Sequence, residues 1–593
     1  MSRVAPAVFA FLVLATFGAF FVVQRLKQAP RPVKTLTVTD AFSPRFGNVN
    51  ASIRIRITDS DDVTVSILDS DGDVVRRLVR NQPLRAGVRR QYLWNGRDDD
   101  GRIVPDGTYR IRVALRGEGR SVVLLESVDT DATPPRPAVE VERPERATGP
   151  LILPARGSAP VRFELAGATA NRLEFGVYRT DGPRVVGVAS LPVAPGATSG
   201  TWDGRIRGRP APAGTYVIVA RVRDQVGNVG ASYPFGPRRR GSFPGVTVRH
   251  LAGQGPTAAA AAGKLATVFV DARGLRYRWR LHRLGQVPTL AKGIAAGPAL
   301  RFRVPVKAAS GVYVVELDSG SPRTRGGPQH VSVPLLIQSR RRHPVLVVIP
   351  YLTWQGRNRL DDDGDGLPDT LEAGSRNPRL ARPFVPGGAP RGLSVSEGPL
   401  LRLLDRPRQD YDVQTDVALA RAGPRELTRH RGVVLLGDVR WVEPAFGARL
   451  KRYVSGGGRV FLTNGDVLRR QIRVRGARLR GEAGASAFDA FGATLSPPER
   501  GDAELLAGDD AVKLFEGTDG AFEGFTVKEE TLEAGPGARV VSAASATNGE
   551  PVIVAVRLGR GLIVRTGLPQ WPARLADPNV DALTRRAWSL LSR

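Results

Sequence analysis

The sequence predicts a multidomain fold class: an N-terminal transmembrane helix, two to three β-sandwich domains and a C-terminal α/β domain with three layers. Three observations lead to this prediction. Residues Val4–Val23 form an uncharged apolar run. A pattern of tryptophan, glycine and tyrosine occurs twice in the N-terminal half. From His343 onward, β-branched runs alternate with helical patterns.

The first predicted element is a membrane anchor within residues 1–36. Val4–Val23 as a helix rises about 30 Å, which is the hydrocarbon thickness of a bilayer. A cleavable signal peptide would have a shorter apolar stretch and a small-residue cleavage site, whereas Phe20–Val23 leads directly into Gln24 and Arg25. The basic residues that follow favour a cytoplasmic location for the rest of the chain. The calcium-type loop described below favours the opposite side, so we expect a single-pass cell-membrane protein whose bulk is extracytoplasmic.

Two predicted β-sandwiches follow, over residues 37–137 and 138–242. Short runs such as Ser52–Ile57 alternate apolar and polar side chains, as strands with one buried face do. Three short motifs of the first segment recur at nearly matched separations in the second, which indicates two copies of one module. They are Asp71-Gly72, Trp94-Asn95-Gly96 and Gly107-Thr108-Tyr109 in the first copy, and Asp181-Gly182, Trp202-Asp203-Gly204 and Gly214-Thr215-Tyr216 in the second.

These modules resemble a known family, the Ig-like domain of the FlgD (flagellar hook-capping) type. The pattern W-x-G followed by G-x-x-x-P-x-G-T-Y occurs here at Trp94, Gly96, Gly101, Pro105, Gly107, Thr108 and Tyr109. The resemblance covers about residues 37 to 240 and implies scaffold modules that are common in secreted proteins, without a flagellar role. Residues 243–340 are predicted to form a third, divergent sandwich, because Ala299–Val304 and Gly311–Leu317 alternate in the same way.

The last predicted domain, residues 341–593, is α/β. Val345–Ile349 is a continuous β-branched run typical of parallel strands that are buried on both faces, and Val433–Leu436 and Arg459–Leu462 follow it. Between the last two runs, Glu443-Pro444 begins a helix of about three turns. Strand, helix and strand together predict a βαβ unit and therefore a parallel sheet.

Four segments of this domain resemble the C-terminal domain of the N,N-dimethylformamidase large (beta) subunit, which is similar to the class I glutamine amidotransferase fold. They lie within about residues 344 to 572 and are Tyr351–Gln355, Ser396–Leu400, Tyr411–Val413 and Gly432–Gly437. The amidotransferase fold implies a cysteine nucleophile at a strained elbow. This chain has no cysteine, and the turn after Arg459–Leu462 is Thr463–Asp466, so glutaminase chemistry is not expected.

The formamidase resemblance also implies an iron site with tyrosine and carboxylate ligands. The segment where such ligands are expected, Gly437–Trp441, carries Arg440, and a guanidinium beside a metal site repels the cation. Iron is therefore not expected, and no catalytic residue is identified. Four side chains are candidates for lining a cleft at the carboxyl edge of the sheet, where open α/β sheets bind ligands: Tyr351, Glu397, Asp438 and Trp441.

A separate candidate metal site lies in Asp361–Glu372. Oxygen donors occupy positions 1, 3, 5, 9 and 12 of this segment, with Gly366 at position 6, which is the spacing of a calcium loop. Pro368 and the lack of an exiting helical pattern argue against half of a paired helix-loop-helix unit, so we expect one structural calcium ion. A solvated acidic loop is the alternative. The predicted ligands are Asp361, Asp363, Asp365, the carbonyl oxygen of Leu367, Asp369 and Glu372.

The charge of the chain favours diffuse effects over a specific polyanion site. The formal net charge is +30, and its arginines are scattered without interleaved aromatic residues, so nucleic acid is not an expected partner. An anionic cell-surface polymer is compatible with this charge. Two functions stay open. The first is a membrane-anchored surface protein with an Ig-like stalk and a non-catalytic α/β domain that serves binding or structure. The second is an amide-bond hydrolase related to N,N-dimethylformamidase, with an unidentified catalytic set.

Overall fold

The computed structural model describes residues 5–28, 32–47, 49–142, 151–153, 160–167, 171–233, 245–319, 329–372, 377–405 and 410–593. The chain divides into two compact units. One comprises Met1–Ala138, Leu165–Phe175 and Ala220–Arg240, and the other comprises Val139–Glu164, Gly176–Val219 and Gly241–Arg593. Each unit has its own buried apolar clusters.

The first unit contains helix α1 (Ala5–Gln28) and the first β-sandwich. The strands of this sandwich are β1 (Val33–Val38), β2 (Ala41–Phe42), β3 (Ala51–Ile57), β4 (Asp61–Leu68), β5 (Val74–Leu84), β6 (Arg90–Trp94), β7 (Gly107–Leu115) and β8 (Arg120–Thr130). One sheet has the order β1-β3-β6 and the other β2-β8-β7-β4-β5. Trp94 is buried in the core, where its ring meets Phe42 and Tyr109 edge-on and its indole N–H donates to the Arg97 carbonyl at 3.0 Å.

The second β-sandwich repeats these contacts. Its described strands are β9 (Ala138–Val141), β10 (Leu151–Leu153), β11 (Val161–Ala166), β12 (Arg172–Arg179), β13 (Val186–Leu191), β14 (Ser199–Trp202), β15 (Arg205–Ile206), β16 (Arg209–Pro210), β17 (Gly214–Arg223), β18 (Val229–Ala231) and β19 (Gly245–Val248). The larger sheet has the order β10-β19-β17-β12-β13 with β18 beside β17, a second has the order β14-β11-β9, and β15 pairs with β16. The buried Trp202 donates its indole N–H to the Arg205 carbonyl at 2.9 Å, as Trp94 does to Arg97.

A third β-sandwich precedes the C-terminal domain. Its described strands are β20 (Ala252–Gln254), β21 (Ala260–Ala261), β22 (Leu265–Asp271), β23 (Tyr277–Arg283), β24 (Thr289–Ala295), β25 (Ala299–Arg303), β26 (Gly311–Ser319) and β27 (Gln329–Gln338). The sheets have the orders β20-β22-β25 and β21-β27-β26-β23-β24. Alternate residues of β25 and β26, such as Phe302 and Val315, fill its core.

The C-terminal domain is built on a nine-stranded sheet. The described strands of the whole domain, five of which lie outside this sheet, are β28 (Val345–Ile349), β29 (Asp412–Thr415), β30 (Gly432–Leu435), β31 (Trp441–Val442), β32 (Arg459–Leu462), β33 (Arg470–Arg475), β34 (Arg478–Gly481), β35 (Thr494–Leu495), β36 (Glu499–Asp510), β37 (Ala521–Lys528), β38 (Thr531–Glu533), β39 (Ala538–Ser545), β40 (Pro551–Leu558) and β41 (Gly561–Arg565). The sheet order is β29-β28-β30-β32-β41-β40-β39-β36-β37. The first five strands of this order are parallel, and the remaining four continue the sheet in antiparallel pairing.

Helices cover both faces of the parallel strands. They are α2 (Tyr351–Arg357), α3 (Gly398–Leu404), α4 (Asp416–Arg421), α5 (Arg425–Thr428), α6 (Pro444–Ser455) and α7 (Pro578–Ser592), with a π-turn at Leu393–Glu397 and a 3-10 turn at Trp571–Arg574. Successive residues of β28 belong to different apolar clusters, as expected for a strand buried on both faces. One cluster contains residues of α3 and α7, and the other contains residues of α4 and α6.

The predicted membrane anchor is contradicted. Helix α1 forms, and the structure describes its side chains at residues 8–20, all of them exposed. No helix among the described residues is long and apolar enough to cross a membrane. The predicted span Val4–Val23, whose first residue lies outside the described part, is thus corrected, and so are the membrane partner and the single-pass localisation that depended on it.

The predicted fold class also needs correction, because the chain is mostly β, including much of the C-terminal domain. The strands predicted above for the C-terminal domain are all parallel ones. Long strands such as β36 and β39 were missed because β-bulges shift their pairing register, which breaks the two-residue periodicity that identifies a strand from sequence.

Replacing Trp94 by alanine should strongly destabilise the first unit. The side chain is fully buried, so its removal leaves a cavity, and we expect a loss of about 3–5 kcal/mol in the free energy of unfolding. Its neighbour in β6, Leu93, is 56% exposed, and Leu93→Ala should change the same quantity by less than about 0.5 kcal/mol. Denaturant titration followed by circular dichroism measures both. Similar losses for the two variants would contradict the assigned core.

Candidate functional site

A cavity opens at the carboxyl edge of the parallel strands in the C-terminal domain. The chain passes from β28 to β29 on one side, while β30 lies on the other side, so the strand order reverses between β28 and β30. Open α/β sheets bind ligands in the crevice outside such a reversal. The cavity has a volume of about 570 Å³, which suits a small molecule. Its lining includes Thr353 and Trp354 of α2, Glu397 before α3, and Asp438 after β30.

Charged side chains of both signs line this cavity. The acidic ones are Asp181, Glu372, Glu397 and Asp438, and the basic ones are Arg179, Arg357, Arg359 and Arg391. Arg179 pairs with Asp181 at 2.6 Å, and Arg359 donates to backbone carbonyl oxygens. Among the residues that the structure describes, Glu397 has no cationic partner.

Glu397 is the group whose environment departs most from that of an ordinary carboxylate. The side chain is 0% exposed, and burial raises its pKa to about 8, with a further rise from Asp438 and an opposing effect of the Trp354 indole. The carboxyl group is therefore protonated at neutral pH. Within the described residues, neither Glu397 Oε2 nor Trp354 Nε1 makes a hydrogen bond of ordinary geometry, although the indole N–H is near enough to lower the pKa of the carboxyl group. A buried polar atom without a hydrogen bond costs about 1–3 kcal/mol.

Two glycines leave room for the Glu397 carboxyl group. A Cβ atom at Gly437 would lie 2.4 Å from Glu397 Oε1, and one at Gly392 would lie 2.8 Å from Glu397 Oε2. Gly437 also has a φ angle of +70°, a conformation that side chains disfavour. Any larger residue at either glycine would therefore displace the carboxyl group from the cavity wall.

Asp438 is held by two arginines. Arg357 Nη1 lies 2.6 Å from Asp438 Oδ2, and Arg440 Nε lies 2.8 Å from Asp438 Oδ1. Both guanidinium groups also contact Glu372, at 3.0 and 3.3 Å. These four side chains form a network that ties the end of α2 to the loop after β30. The charge of Asp438 is compensated within the network, which makes this carboxylate a poor ligand for a metal ion.

The four predicted cleft residues separate into two pairs. Glu397 and Asp438 line the cavity, whereas Tyr351 and Trp441 do not. The Tyr351 hydroxyl accepts from Gln355 Nε2 at 3.3 Å, and burial raises the pKa of Tyr351 to about 12. The buried Trp441 donates its indole N–H to the Glu482 carbonyl at 2.8 Å. Both residues therefore support the cavity from the core.

Several lining residues were not predicted, notably Trp354, Arg357 and Arg359. A signal for Trp354 existed, since it lies three residues after Tyr351 in a helix that directly follows a buried strand. No sequence signal marked the arginines, because their positions depend on side chains distant in sequence, such as Asp438.

The turn after β32, where the amidotransferase fold places its nucleophile, carries none in this chain. The Thr463 hydroxyl donates to the Leu435 carbonyl at 3.1 Å and accepts the Gly437 N–H at 2.8 Å, and so joins two neighbouring strands. Asp466 has a φ angle of +56° and pairs with Arg470 at 2.6 Å. The hydroxyl and the carboxylate of this turn are thus both engaged in structural contacts.

The calcium-type loop brings three of its six predicted ligands together. One carboxylate oxygen each of Asp361, Asp363 and Asp369 lies within 4.8 Å of the others. A cation with oxygen ligands at about 2.3–2.6 Å fits such separations. Burial raises the pKa of Asp361 to about 7 and that of Asp369 to about 6, and neighbouring aspartates add to both rises. Burial and the neighbouring aspartates thus both disfavour the ionised forms of Asp361 and Asp369.

Two of the other predicted ligands, Asp365 and Glu372, are engaged in the loop backbone or elsewhere. Asp365 Oδ1 accepts the Leu367 N–H at 2.7 Å. Glu372 faces Arg357 and Arg440 in the cavity wall. Glu372, the predicted ligand at position 12 of the loop, thus lines the cavity.

Hydrogen bonds within the loop, and one from the second sandwich, fix the conformation of the loop. The two carboxylate oxygens of Asp361 accept the N–H groups of Gly364 and Gly366 at 2.6 and 2.9 Å. Gly366 has a φ angle of +82°, and its carbonyl accepts the Thr180 hydroxyl at 2.6 Å. Glycine at position 6 is therefore required by the turn.

A buried arginine fastens the loop to α2. Arg382 is 2% exposed, and its Nη1 lies 3.1 Å from Asp362 Oδ2. The same guanidinium donates to the backbone carbonyl oxygens of Gln355, Asn358, Leu360 and Asp369. A buried charge is tolerated only when it is paired and its N–H groups are satisfied, as they are here.

Two protein-family models match parts of this chain. Residues 297–492 match "N,N-dimethylformamidase beta subunit-like, C-terminal", and residues 39–119 match "FlgD Ig-like domain". The predicted domain architecture is thereby confirmed for these two families. The formamidase-like match begins at residue 297, within the third sandwich. The predicted start of the resemblance, at about residue 344, lies farther along the chain. The amidotransferase-like fold stays a prediction.

Curated relatives match a short segment. The "Basal-body rod modification protein FlgD" of Salmonella typhimurium and that of Salmonella typhi are each 42% identical over 64 residues, which is 11% of this chain and 27% of the relative. The chain thus spans about a quarter of the length of these relatives. Among solved structures, domains A168–A170 of titin are 13% identical, with 52% of this chain and 96% of the other covered and a TM-score of 0.17.

Replacing Glu397 by glutamine should change how stability depends on pH. The folded-state pKa of about 8 exceeds the ordinary value of 4.5, so the folded state binds more protons and the native protein loses stability as pH rises from about 4.5 to above 8. Glutamine does not ionise, and the melting temperature of Glu397→Gln should fall less between pH 5 and pH 9. The control is Glu504→Gln, at an exposed position of β36. Parallel curves for wild type and Glu397→Gln would exclude a buried, protonated Glu397.

Proposed function

We propose that the C-terminal domain binds a small polar ligand in the cavity beside Glu397 without hydrolysing it. The observation that supports this most directly is the pair of unpartnered atoms, Glu397 Oε2 and Trp354 Nε1, buried in the cavity wall. Most buried polar atoms in native proteins have a partner, and a ligand can supply one. The FlgD-like Ig domain and the formamidase-like domain are both present, and the β-sandwiches would serve as the scaffold that carries the binding domain.

The chemistry of the two atoms defines the ligand class. The indole N–H of Trp354 only donates, so the ligand atom that faces it must be an acceptor. A protonated Glu397 can donate or accept. Carboxamides and carboxylic acids offer an acceptor beside a second polar atom. Arg391, which has no ion pair in the described part of the chain, would favour a ligand with a negative end.

The same lining offers little for hydrolysis. None of the described lining residues is a cysteine or a histidine, so the lining offers neither a thiolate nucleophile nor an imidazole base. The Thr353 hydroxyl accepts the Arg440 N–H at 3.0 Å. A Ser339–His343 contact of 3.3 Å lies away from this lining, and there the serine hydroxyl donates to the Arg341 carbonyl. We therefore favour binding over amide-bond hydrolysis.

We also propose that the loop Asp361–Glu372 binds one calcium ion. Support comes from the three converging carboxylates and from the raised pKa values of Asp361 and Asp369. A divalent cation would offset both the desolvation of these groups and their mutual repulsion. Asp363 and Asp369 would then complete the ligand set with Asp361, and water would fill the remaining positions.

Calcium in the loop would also order the cavity. Arg382 joins the loop carbonyls to the carbonyls at the end of α2, and Glu372 pairs with Arg357 in the lining. The helix α2 carries Trp354. Holding the loop would therefore hold the indole N–H in position for the ligand.

Small amides and acids should bind to the purified protein without being consumed. We expect saturation-transfer NMR signals for succinamide and succinate that weaken at least fivefold in Trp354→Phe, because phenylalanine keeps the ring and lacks the N–H. The matched control is Trp588→Phe, since Trp588 is also a buried tryptophan of this domain but does not line the cavity. Signals that both variants weaken equally would argue against the assigned site.

Ammonia release from succinamide separates binding from hydrolysis in the same samples. Binding without release supports the proposal. Enzyme-dependent release that Glu397→Gln abolishes would instead establish the amide-bond hydrolase. Iron analysis of the purified protein extends this comparison, because a stoichiometric iron content would revive the metal site that the family resemblance implies.

Calcium should raise the melting temperature of the wild-type protein, and Asp363→Asn should remove most of that increase. Asp363 is exposed, so the substitution should have little effect in chelator, where no cation is bound. Scanning calorimetry with calcium and with EGTA measures the difference. Asp509→Asn, at an exposed position of β36, is the control. An equal loss for Asp363→Asn in calcium and in EGTA would count against a metal at this loop.

A further inference from the structure

A second cavity lies at the opposite, amino edge of the parallel strands. It has a volume of about 730 Å³ and sits where β30 and β32 begin and where α5, α6 and α7 end. Its lining includes five arginines and no acidic side chain, and the arginines are Arg431, Arg449, Arg452, Arg459 and Arg593. We call this set the arginine cleft.

The guanidinium groups of Arg449 and Arg459 in the arginine cleft contact backbone carbonyl oxygens. Arg449 donates to the carbonyls of Ala420 and Ala422, and Arg459 donates to that of Leu590. Arg431 donates to the main-chain oxygen of Arg593 at 3.2 Å. Across the described residues, none of the five forms an ion pair with an acidic side chain. Carbonyl groups at helix ends carry only partial charge, so they leave most of the positive charge uncompensated.

The acidic side chains close to the arginine cleft pair with residues other than its five arginines. His430 in the lining pairs with Asp412 at 3.0 Å, and that pair is buried. Glu426 of α5 pairs with Arg429 at 3.0 Å. The local field of the cleft is therefore strongly positive, and a cleft with one sign of charge concentrates ions of the opposite sign.

We propose that the arginine cleft binds a small molecule that carries two or more phosphate groups. Guanidinium groups bind phosphate oxygens in pairs of parallel hydrogen bonds, and several of them in one cleft suit several linked phosphates. The volume is that of a small-molecule site. The cleft is separate from the cavity beside Glu397, because the two lie at opposite ends of the same strands.

A substitution of Arg452 can distinguish a loss of ligand binding from a loss of structure. Arg449 and Arg459 also hold helix ends, so their substitution would affect the fold. The Arg452 side chain is exposed and has no hydrogen bond or ion pair in the part of the chain that the structure describes. Its removal should therefore leave the domain folded while reducing the positive charge of the cleft.

Calorimetric titration of the full chain with tripolyphosphate at low ionic strength tests this proposal. We expect binding that is tighter than that of monophosphate, and Arg452→Gln and Arg452→Glu should weaken it about tenfold or more with an unchanged melting temperature for Arg452→Gln. The matched control is Arg473→Glu, which reverses the charge of an exposed arginine on β33, outside the cleft. That variant should change the affinity less than twofold.

Three results would overturn the assignment. Equal weakening by Arg452→Glu and Arg473→Glu would mean that the total charge of the chain, not the cleft, attracts the anion. Equal affinity for monophosphate and tripolyphosphate would remove the argument for linked phosphates. Undetectable binding by the wild-type chain would show that helix-end contacts satisfy the guanidinium groups.

Discussion

The buried guanidinium of Arg382 organises the C-terminal domain around its carboxyl edge. A charge in this position is stable only if the surrounding groups are arranged to meet it, and they come from two elements: the end of α2 and the loop that follows. Asp362 supplies the counter-charge at 3.1 Å, while backbone carbonyls take the remaining N–H groups. Loss of the guanidinium would therefore release the acidic loop and the helix that carries Trp354 together. The two proposed binding sites at this edge thus depend on one side chain.

The distribution of charge over the sheet follows from the direction of its strands. In a βα unit, the strand ends where its helix begins, so helix amino termini gather at the carboxyl edge and helix carboxyl termini at the amino edge. At the carboxyl edge, acidic side chains such as Asp438 lie beside arginines, whereas the described lining of the arginine cleft at the amino edge has no acidic side chain. The positive charge at the amino edge complements the helix carboxyl termini that it faces. The cavities at the two edges are therefore suited to different ligands, although they share the same five strands.

Much of the fold was predictable because its signals are local, whereas only part of the cavity lining was, namely Glu397 and Asp438. Alternating residues and the repeated Trp94 and Trp202 motifs identify the sandwiches, and β-branched runs identify the parallel strands. Glu397 and Trp354 lie in one cavity wall because the sheet order brings the ends of distant segments together. Sequence periodicity does not reveal such an arrangement. Glu372 illustrates the same limit, since its spacing suits a calcium loop but its side chain reaches two arginines of the cavity wall. The length and the uncharged character of Val4–Val23 were also insufficient to establish a membrane span.

Two buried carboxyl groups of this domain show why burial alone does not identify a functional residue. Burial raises the pKa of both Glu397 and Asp416 to about 8. The Asp416 carboxyl group accepts hydrogen bonds from the backbone N–H groups of Leu352 in α2 and Val417 in α4. Glu397 faces a cavity, one of its oxygens has no partner, and the glycines around it leave space without supplying a hydrogen bond. The desolvation penalty of Asp416 is thus offset within the fold, whereas the described contacts of Glu397 leave Oε2 without a hydrogen bond, and the proposed ligand would supply one.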